Sequence, residues 1–489
     1  MKQLHKFILS LHRILGTLLS AVFLMWFLTG MVMLFHGSFP SADKSSRLDP
    51  LVQTPQNFLP LDSILPDKPF TGLTLNRYVG NTTFQVTTAD SVYTLTPLGK
   101  PFENLMDNVQ LKLVCQRWCP APVVRCDTLD DLNQWVPFGS YRRELPILKY
   151  TFADDESHHL YVGSKTGNVL QFTTLSQRIW AWLGPIPHWI YFTWLRSDRD
   201  LWIQTVSWMA GIGCIMVLSG MWTGVTVWLR TRRNRRNGFS PYKKKWYHWH
   251  YVTGFVFGVV CLSYAFSGMM SLVKLPPGFI SHVELDFDPR QTIDETPAET
   301  YQLDYRQVIE AQPDAVQITW KHLAHIPFYT VLLKDGSTVN YDARTSALRE
   351  LDLSEDEIFD VVKSAYRQHG IDIVASTVET QNHQELYYNR VQGTGKDVLP
   401  VVKVSVNDAD KGVFYINPSN GSVRYVDTTG RWSYWMYRGL HKLRFPGIVE
   451  VEWLRILLSL LVLAGGTVVC VTGVVLGCRY ISRTVRKKQ

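Results

Sequence analysis

Not one of the 42 aspartates and glutamates in this 489-residue chain lies in its four long apolar runs, Ile14–Phe35, Leu201–Leu229, Tyr251–Val273 and Ile456–Leu476. Acidic residues are also missing from the N-terminal stub, the 230–245 connector and the C-terminal tail. Ion pumps and proton-driven carriers commonly work through ionisable groups at membrane depth, carboxylates among them, so that absence argues against them. Other signatures are lacking too: HExxH, CxxCH, a phosphate-cradling glycine loop and a serine-nucleophile elbow. Their absence sets aside zinc proteases, covalent c-type cytochromes, nucleotide-driven enzymes and serine hydrolases. Neither connector nor tails carry a flavin or dinucleotide motif, so such a reductant would have to come from a partner.

The acidic residues fall in two segments, 16 between Gly37 and Asp200 and 26 between Lys274 and Glu452. The three short segments are basic instead, through Lys2, Lys6 and Arg13, then Arg230, Arg232, Arg233, Arg235, Arg236 and Lys243–Lys245, then Arg479, Arg483, Arg486, Lys487 and Lys488. Each apolar run reaches the roughly 20 residues that a helix needs to cross about 30 Å of hydrocarbon. Basic short segments stay in the cytoplasm, which puts both termini inside and both long loops outside. The net charge of +8 and pI near 9 are therefore topological, with no nucleic-acid partner implied. The N-terminal run is too long for a cleaved signal and lacks a small-residue cleavage site, so it reads as the first span.

These observations predict a bacterial inner-membrane protein in contact with the lipid bilayer, an α-helical four-span bundle bearing two extracytoplasmic, periplasmic α+β domains. The boundaries are a first helix region 1–36, a first domain 37–200, a second helix 201–229, a cytoplasmic connector 230–249, a third helix 250–273, a second domain 274–452, a fourth helix 453–478 and a tail 479–489. Seven cysteines divide by compartment. Cys214, Cys261, Cys470 and Cys478 read as small packing residues in the spans. Cys115, Cys119 and Cys126 face the oxidising side and are disulfide candidates.

The chain also reads as an internal tandem duplication. Leu11-His12-Arg13 recurs as Trp249-His250-Tyr251, Thr29-Gly30 as Ser267-Gly268, Pro187-His188 as Leu440-His441, and Ser219-Gly220 as Thr472-Gly473. Within the loops, Pro146–Lys149 recurs as Pro400–Lys403 and Leu160-Tyr161-Val162 as Phe414-Tyr415-Ile416. Alternation at period two predicts hairpins through Phe84–Leu95 and Tyr329–Tyr341, and later ones turning at Thr166-Gly167 and Asn420-Gly421. Ser354 and Glu357 form a capping box ahead of a helix ending near Gln368. Its counterpart in the first loop is a weaker stretch around Leu129–Arg142, broken by Pro137. Each loop is thus expected to be one compact unit.

Four of the 14 histidines occupy paired positions in the repeat. Imidazole suits haem iron, and a b-type haem takes one axial ligand from each side of its plane. His12 with His250 would serve one face of the membrane and His188 with His441 the other, giving two haems b. His36 is a secondary candidate for the outer site, and His248 serves only if the register shifts. His158-His159, His322, His325 and His383 read as solvated surface. The tryptophans near the membrane boundaries read as interfacial anchors.

Taken together, Leu11-His12-Arg13 through Thr29-Gly30, Trp249-His250 through Ser267-Gly268, the hairpins Leu160–Leu170 and Phe414–Tyr425, and Leu440-His441 resemble the PepSY-associated transmembrane family over nearly the whole chain. His188 departs from it, lying in Gly184-Pro185-Ile186-Pro187-His188 rather than after leucine, and the three loop cysteines are not a family feature. The resemblance implies an iron-regulated inner-membrane protein akin to haem-containing reductases of ferric siderophores. Electrons from a quinol or a partner reductase would pass outward to a ferric siderophore or other ferric chelate. Two other roles are a non-redox PepSY scaffold that regulates an envelope protein and a siderophore or iron transporter. Four helices with so few polar groups leave a transporter little room for a path.

Overall fold

The computed structural model describes residues 2–51, 57–65, 70–88, 91–102, 108–233, 240–273, 285–373, 375–383, 385–388 and 398–486. Lys274, Arg235, Arg236, Lys487 and Lys488 lie outside them. Four helices dominate: Lys2–Met33, Arg199–Arg233, Lys245–Met270 and Glu452–Arg486. All four are long and apolar enough to cross a membrane, as the apolar runs predict. Several overrun those runs into the flanking basic stretches, because the helix keeps its backbone groups paired as it leaves the hydrocarbon.

The first helix packs on the second and fourth, and the third helix packs on the same two, so the bundle closes as a ring. Phe23, Phe27, Met216, Cys261, Ala265, Leu463 and Cys470 fill its centre. Glycines let the rings in. A Cβ on Gly466 would stand 2.4 Å from the Phe27 ring, and one on Gly465 would stand 2.2 Å from that of Phe257. Lipid gives helices no hydrophobic reason to associate, so close packing of this kind has to hold them together.

Outside the bundle the described residues form three antiparallel sheets. Strands β4 (Val123–Leu129), β5 (Ile147–Phe152), β6 (His159–Gly163) and β7 (Val169–Thr173) form one sheet in chain order. In the second loop β11 (Ala375–Gln381), β12 (Val401–Val406), β13 (Val413–Ile416) and β14 (Val423–Val426) repeat that order. The expected turns at Thr166-Gly167 and Asn420-Gly421 are present, with φ of 66° and 63° at their glycines.

The third sheet differs from the expectation of one compact unit per loop. The first loop supplies β1 (Gly72–Tyr78), β2 (Asn81–Thr87) and β3 (Val92–Leu95), and the second supplies β8 (Ala315–Leu323), β9 (Ile326–Leu333) and β10 (Thr338–Asp342). The six join in the order β10-β9-β8-β1-β2-β3. Each three-stranded unit alone would expose an open edge, and pairing β1 with β8 removes both edges at once. Leu75 faces Ile318 across that junction, and both are fully buried. Ile318→Ala is expected to cost about 2–5 kcal/mol, seen as a lower melting temperature of the detergent-purified chain with its membrane helices intact.

The capped helix of the second loop is Glu355–Arg367, with both halves of the Ser354/Glu357 box formed. Its first-loop counterpart is Asn108–Trp118, not the stretch around Leu129–Arg142. That stretch holds only the end of β4 and a 3-10 turn, Gly139–Glu144, since Pro137 denies a continuous helix its backbone donor.

Candidate cofactor sites in the helix bundle

Each membrane re-entry has the same local logic. Thr174 and Gln177 form a capping box on the helix Leu175–Leu183, and a one-turn helix, Pro185–Trp189, then carries His188 inward. In the second loop Asp427 caps Thr428–Ser433, and a π-helical stretch, Tyr434–His441, carries His441. The extra residue per π turn re-aims a side chain, and such turns gather at functional sites.

The structure brings the four paired histidines together two by two. His12 of the first helix and His250 of the third lie with ring centroids 6.1 Å apart and planes 31° apart. At the other end of the bundle His188 and His441 lie 6.3 Å apart with planes at 62°. Two imidazoles binding one iron from opposite sides need this spacing: a bond of about 2 Å on each side, plus roughly 1.1 Å from each nitrogen to its ring centre, gives about 6.2 Å.

Hydrogen bonds fix which ring nitrogen is free. Thr29 donates its hydroxyl hydrogen to the carbonyl of Met25 at 2.7 Å, so toward His188 Nδ1, 3.1 Å away, its oxygen can only accept. Nδ1 therefore carries the proton and Nε2 keeps its lone pair. Thr472 does the same for His250, accepting from Nδ1 at 2.9 Å while donating to Val469 O at 2.8 Å. Ser267 accepts from His441 Nδ1 at 3.1 Å and donates to Tyr264 O at 3.3 Å. His12 donates from Nδ1 straight to the Met216 carbonyl at 2.9 Å, a carbonyl that Ser219 also bonds. All four rings thus present Nε2, the nitrogen a metal would take.

After each hydroxyl comes a glycine, and each glycine is where a histidine ring lies. A Cβ on Gly220 would stand 2.5 Å from His12 Cε1, and one on Gly268 would stand 3.3 Å from His441 Cε1. Gly30 and Gly473 face His188 and His250 at 3.5 and 3.6 Å. The sequence displays these four Ser/Thr-Gly pairs as repeat markers, but their role emerges only once the helices are packed. Thr29→Val keeps the shape and removes the acceptor; a haem held at the His188 site would be expected to bind about 10–100-fold more weakly, measured by haem titration of the stripped protein.

The remaining candidates lie apart from these sites. His36 is exposed and stacks on Trp180 at 3.9 Å, and His248 stands edge-on to Trp249. Cys115, Cys119 and Cys126 are free thiols; Cys115 and Cys119 are buried and Cys126 is exposed. Burial pushes the pKa of His188 down to about 4, and burial and the neighbouring His188 push that of His441 to about 3. Both rings are therefore neutral, as metal ligation requires.

The PepSY-associated TM region family matches residues 128–479. The chain belongs to that family. No curated protein matches it. The match covers the second and third membrane helices and most of the fourth, strands β5–β7 and the β11–β14 sheet, and His188, His250 and His441. The first helix with His12 lies before it. As a PepSY-associated protein the chain is a multi-pass membrane protein carrying α+β domains outside its helices. Its histidine pairs suit an iron porphyrin: each has an unprotonated nitrogen, iron-spanning separation and a side-chain-free floor. His12 and His250 would hold one haem, His188 and His441 the other.

Proposed function

We propose that this protein is a di-haem b oxidoreductase of the bacterial inner membrane, passing electrons from the cytoplasmic side or the quinol pool to a ferric chelate in the periplasm. Bound haem supplies a one-electron carrier. The observation carrying this reading is the double pairing of histidines, 6.1 and 6.3 Å apart, with Nδ1 tied to the neighbouring helix in all four. The distribution of acidic and basic residues supports cytoplasmic termini and periplasmic loops. The recurrence of strand order and Ser/Thr-Gly pairs supports an internal duplication.

The chain's residues divide the work. The histidines hold and orient the two groups, and the Ser/Thr hydroxyls and the Met216 carbonyl hold the histidines. The apolar centre excludes water and ions between the sites. From Gly30 to His12 is 18 residues of helix, roughly 27 Å along the axis. Aromatic rings line part of that interval: Tyr264 lies 5.3 Å from the His441 ring and 6.0 Å from Phe27. Around the outer pair the cations Arg438, Lys442, Arg444 and Arg455 stand against Glu452, and Arg444 Nε is buried without a partner. Such a set suits carboxylates, whether those of a porphyrin or of an anionic chelate.

The test is the absorption spectrum of the purified protein, before and after dithionite, with a pyridine haemochrome count. A reduced b-type α-band at two haems per chain is the expected result. A colourless, folded protein made with ample haem would sink this reading and favour a PepSY scaffold that regulates an envelope partner.

A further inference from the structure

Outside the bundle, the turn joining β5 to β6 carries a second group of ligating side chains. Donor atoms of Cys119, Asp154 and His158 all lie within 4.8 Å of one another. Cys119 follows the helix Asn108–Trp118 directly and is 5% exposed. His158 is stacked flat on Phe172 at 4.5 Å, with Nδ1 2.6 Å from Asp154 Oδ2 and Nε2 3.2 Å from Glu156 Oε2. The imidazole is therefore clamped, with a carboxylate at each nitrogen.

The corresponding turn between β12 and β13 shows what is special here. The two turns share a backbone: Ser157 and Lys411 both adopt a positive φ, of 50° and 52°. In both, an arginine from the following helix grips the carbonyl at that position, Arg178 at 2.8 Å and Arg431 at 3.0 Å. In both, an aspartate accepts from the backbone four residues on, Asp154 from His158 N and Asp408 from Gly412 N. In the second loop, however, Asp408 is satisfied by the Tyr366 hydroxyl at 2.6 Å, and glycine stands where the first has His158. The first loop has Cys119 and His158 in those places. One turn holds its aspartate in a closed structural bond; the other surrounds it with a thiol and an imidazole.

We propose that Cys119, Asp154 and His158 bind a divalent cation of the zinc class through three protein ligands and one solvent position, with Glu156 holding the far nitrogen of His158. Thiolate and imidazole select a borderline-soft metal over magnesium or calcium. Bonds of about 2.0–2.3 Å in a tetrahedron set the donors roughly 3–4 Å apart, so only small side-chain adjustments close the site. Binding forms a metal–sulfur bond and releases the Cys119 thiol proton to solvent. Arg47, whose guanidinium lies over Trp118 at 5.3 Å, and Arg178 are the nearby cations; two carboxylates and the new thiolate outweigh them. The cation would pin the end of the Asn108–Trp118 helix to the turn that anchors the helix leading into the membrane.

Equilibrium dialysis of the chelator-stripped, full-length protein against Zn2+, followed by zinc-edge X-ray absorption, tests this. One zinc per chain is expected, with one sulfur at about 2.3 Å in its shell. Cys119→Ser should remove the sulfur and weaken binding about 100-fold, and Glu156→Gln, at an exposed carboxylate that folding does not need, about 10-fold. Tyr366→Phe, at the corresponding turn, should change neither. A shell without sulfur, a sulfur that survives Cys119→Ser, or Glu156→Gln binding as tightly as wild type would overturn the proposal.

Discussion

Wild-type protein reconstituted with excess haem is expected to carry two haems per chain, and His441→Ala only one. The same halving is expected for His188→Ala, while His12→Ala and His250→Ala should each lose the other haem. These are the largest effects the proposed assignment predicts, since each histidine would supply half of an axial pair. The variants should still fold, because removing a ring strands no partner. Ser267 keeps its bond to the Tyr264 carbonyl and Thr472 keeps its bond to Val469. The vacated space should admit free imidazole, and added imidazole is expected to restore the lost α-band in His441→Ala. Two haems persisting in all four single variants would show that other residues hold them.

Gly220→Ala is expected to empty the His12/His250 site without altering a ligand. The new methyl would stand 2.5 Å from His12 Cε1 and 2.9 Å from Nδ1, so the ring must move. A binding constellation tolerates only about 0.5 Å of displacement before it fails. Alanine is also a better helix former than glycine by about 1 kcal/mol, so the helix itself is not weakened. Gly224→Ala is the control: it lies one turn along the same helix, and its would-be Cβ meets the Phe255 ring at an ordinary 3.8 Å. Haem counts should fall to about one in the first variant and stay at two in the second; equal counts would remove the role given to the glycine floor.

Much of this was legible in the residues. Hydropathy and charge located the four spans, and the repeat singled out His12, His188, His250 and His441 even though His188 follows proline rather than leucine. The capping box at Ser354 located its helix because the signal is local. The shared six-stranded sheet was not legible, since β1 and β8 meet across some 240 residues of chain and no local pattern encodes a partner that distant. The Ser/Thr-Gly pairs were visible, but what lies against a glycine depends on how helices pack. His158 read as surface because its neighbours Asp154, Glu156 and Phe172 are brought to it by a turn, a strand crossing and a stack, none of which has a sequence period.

The sheet order β10-β9-β8-β1-β2-β3 reads the same from either end once each strand is replaced by its counterpart, with Thr74 facing Thr319 at the centre. Both histidine pairs likewise take one ring from each half of the chain. A palindromic strand order and histidine pairs drawn one ring from each half are what the proposed duplication would leave if its two copies were related by an approximate two-fold axis. An identical-subunit dimer built this way would have to place any new side chain twice. Joined in one polypeptide, the halves are released from that constraint, and one turn can keep a tyrosine on its aspartate while the other takes a cysteine and a histidine.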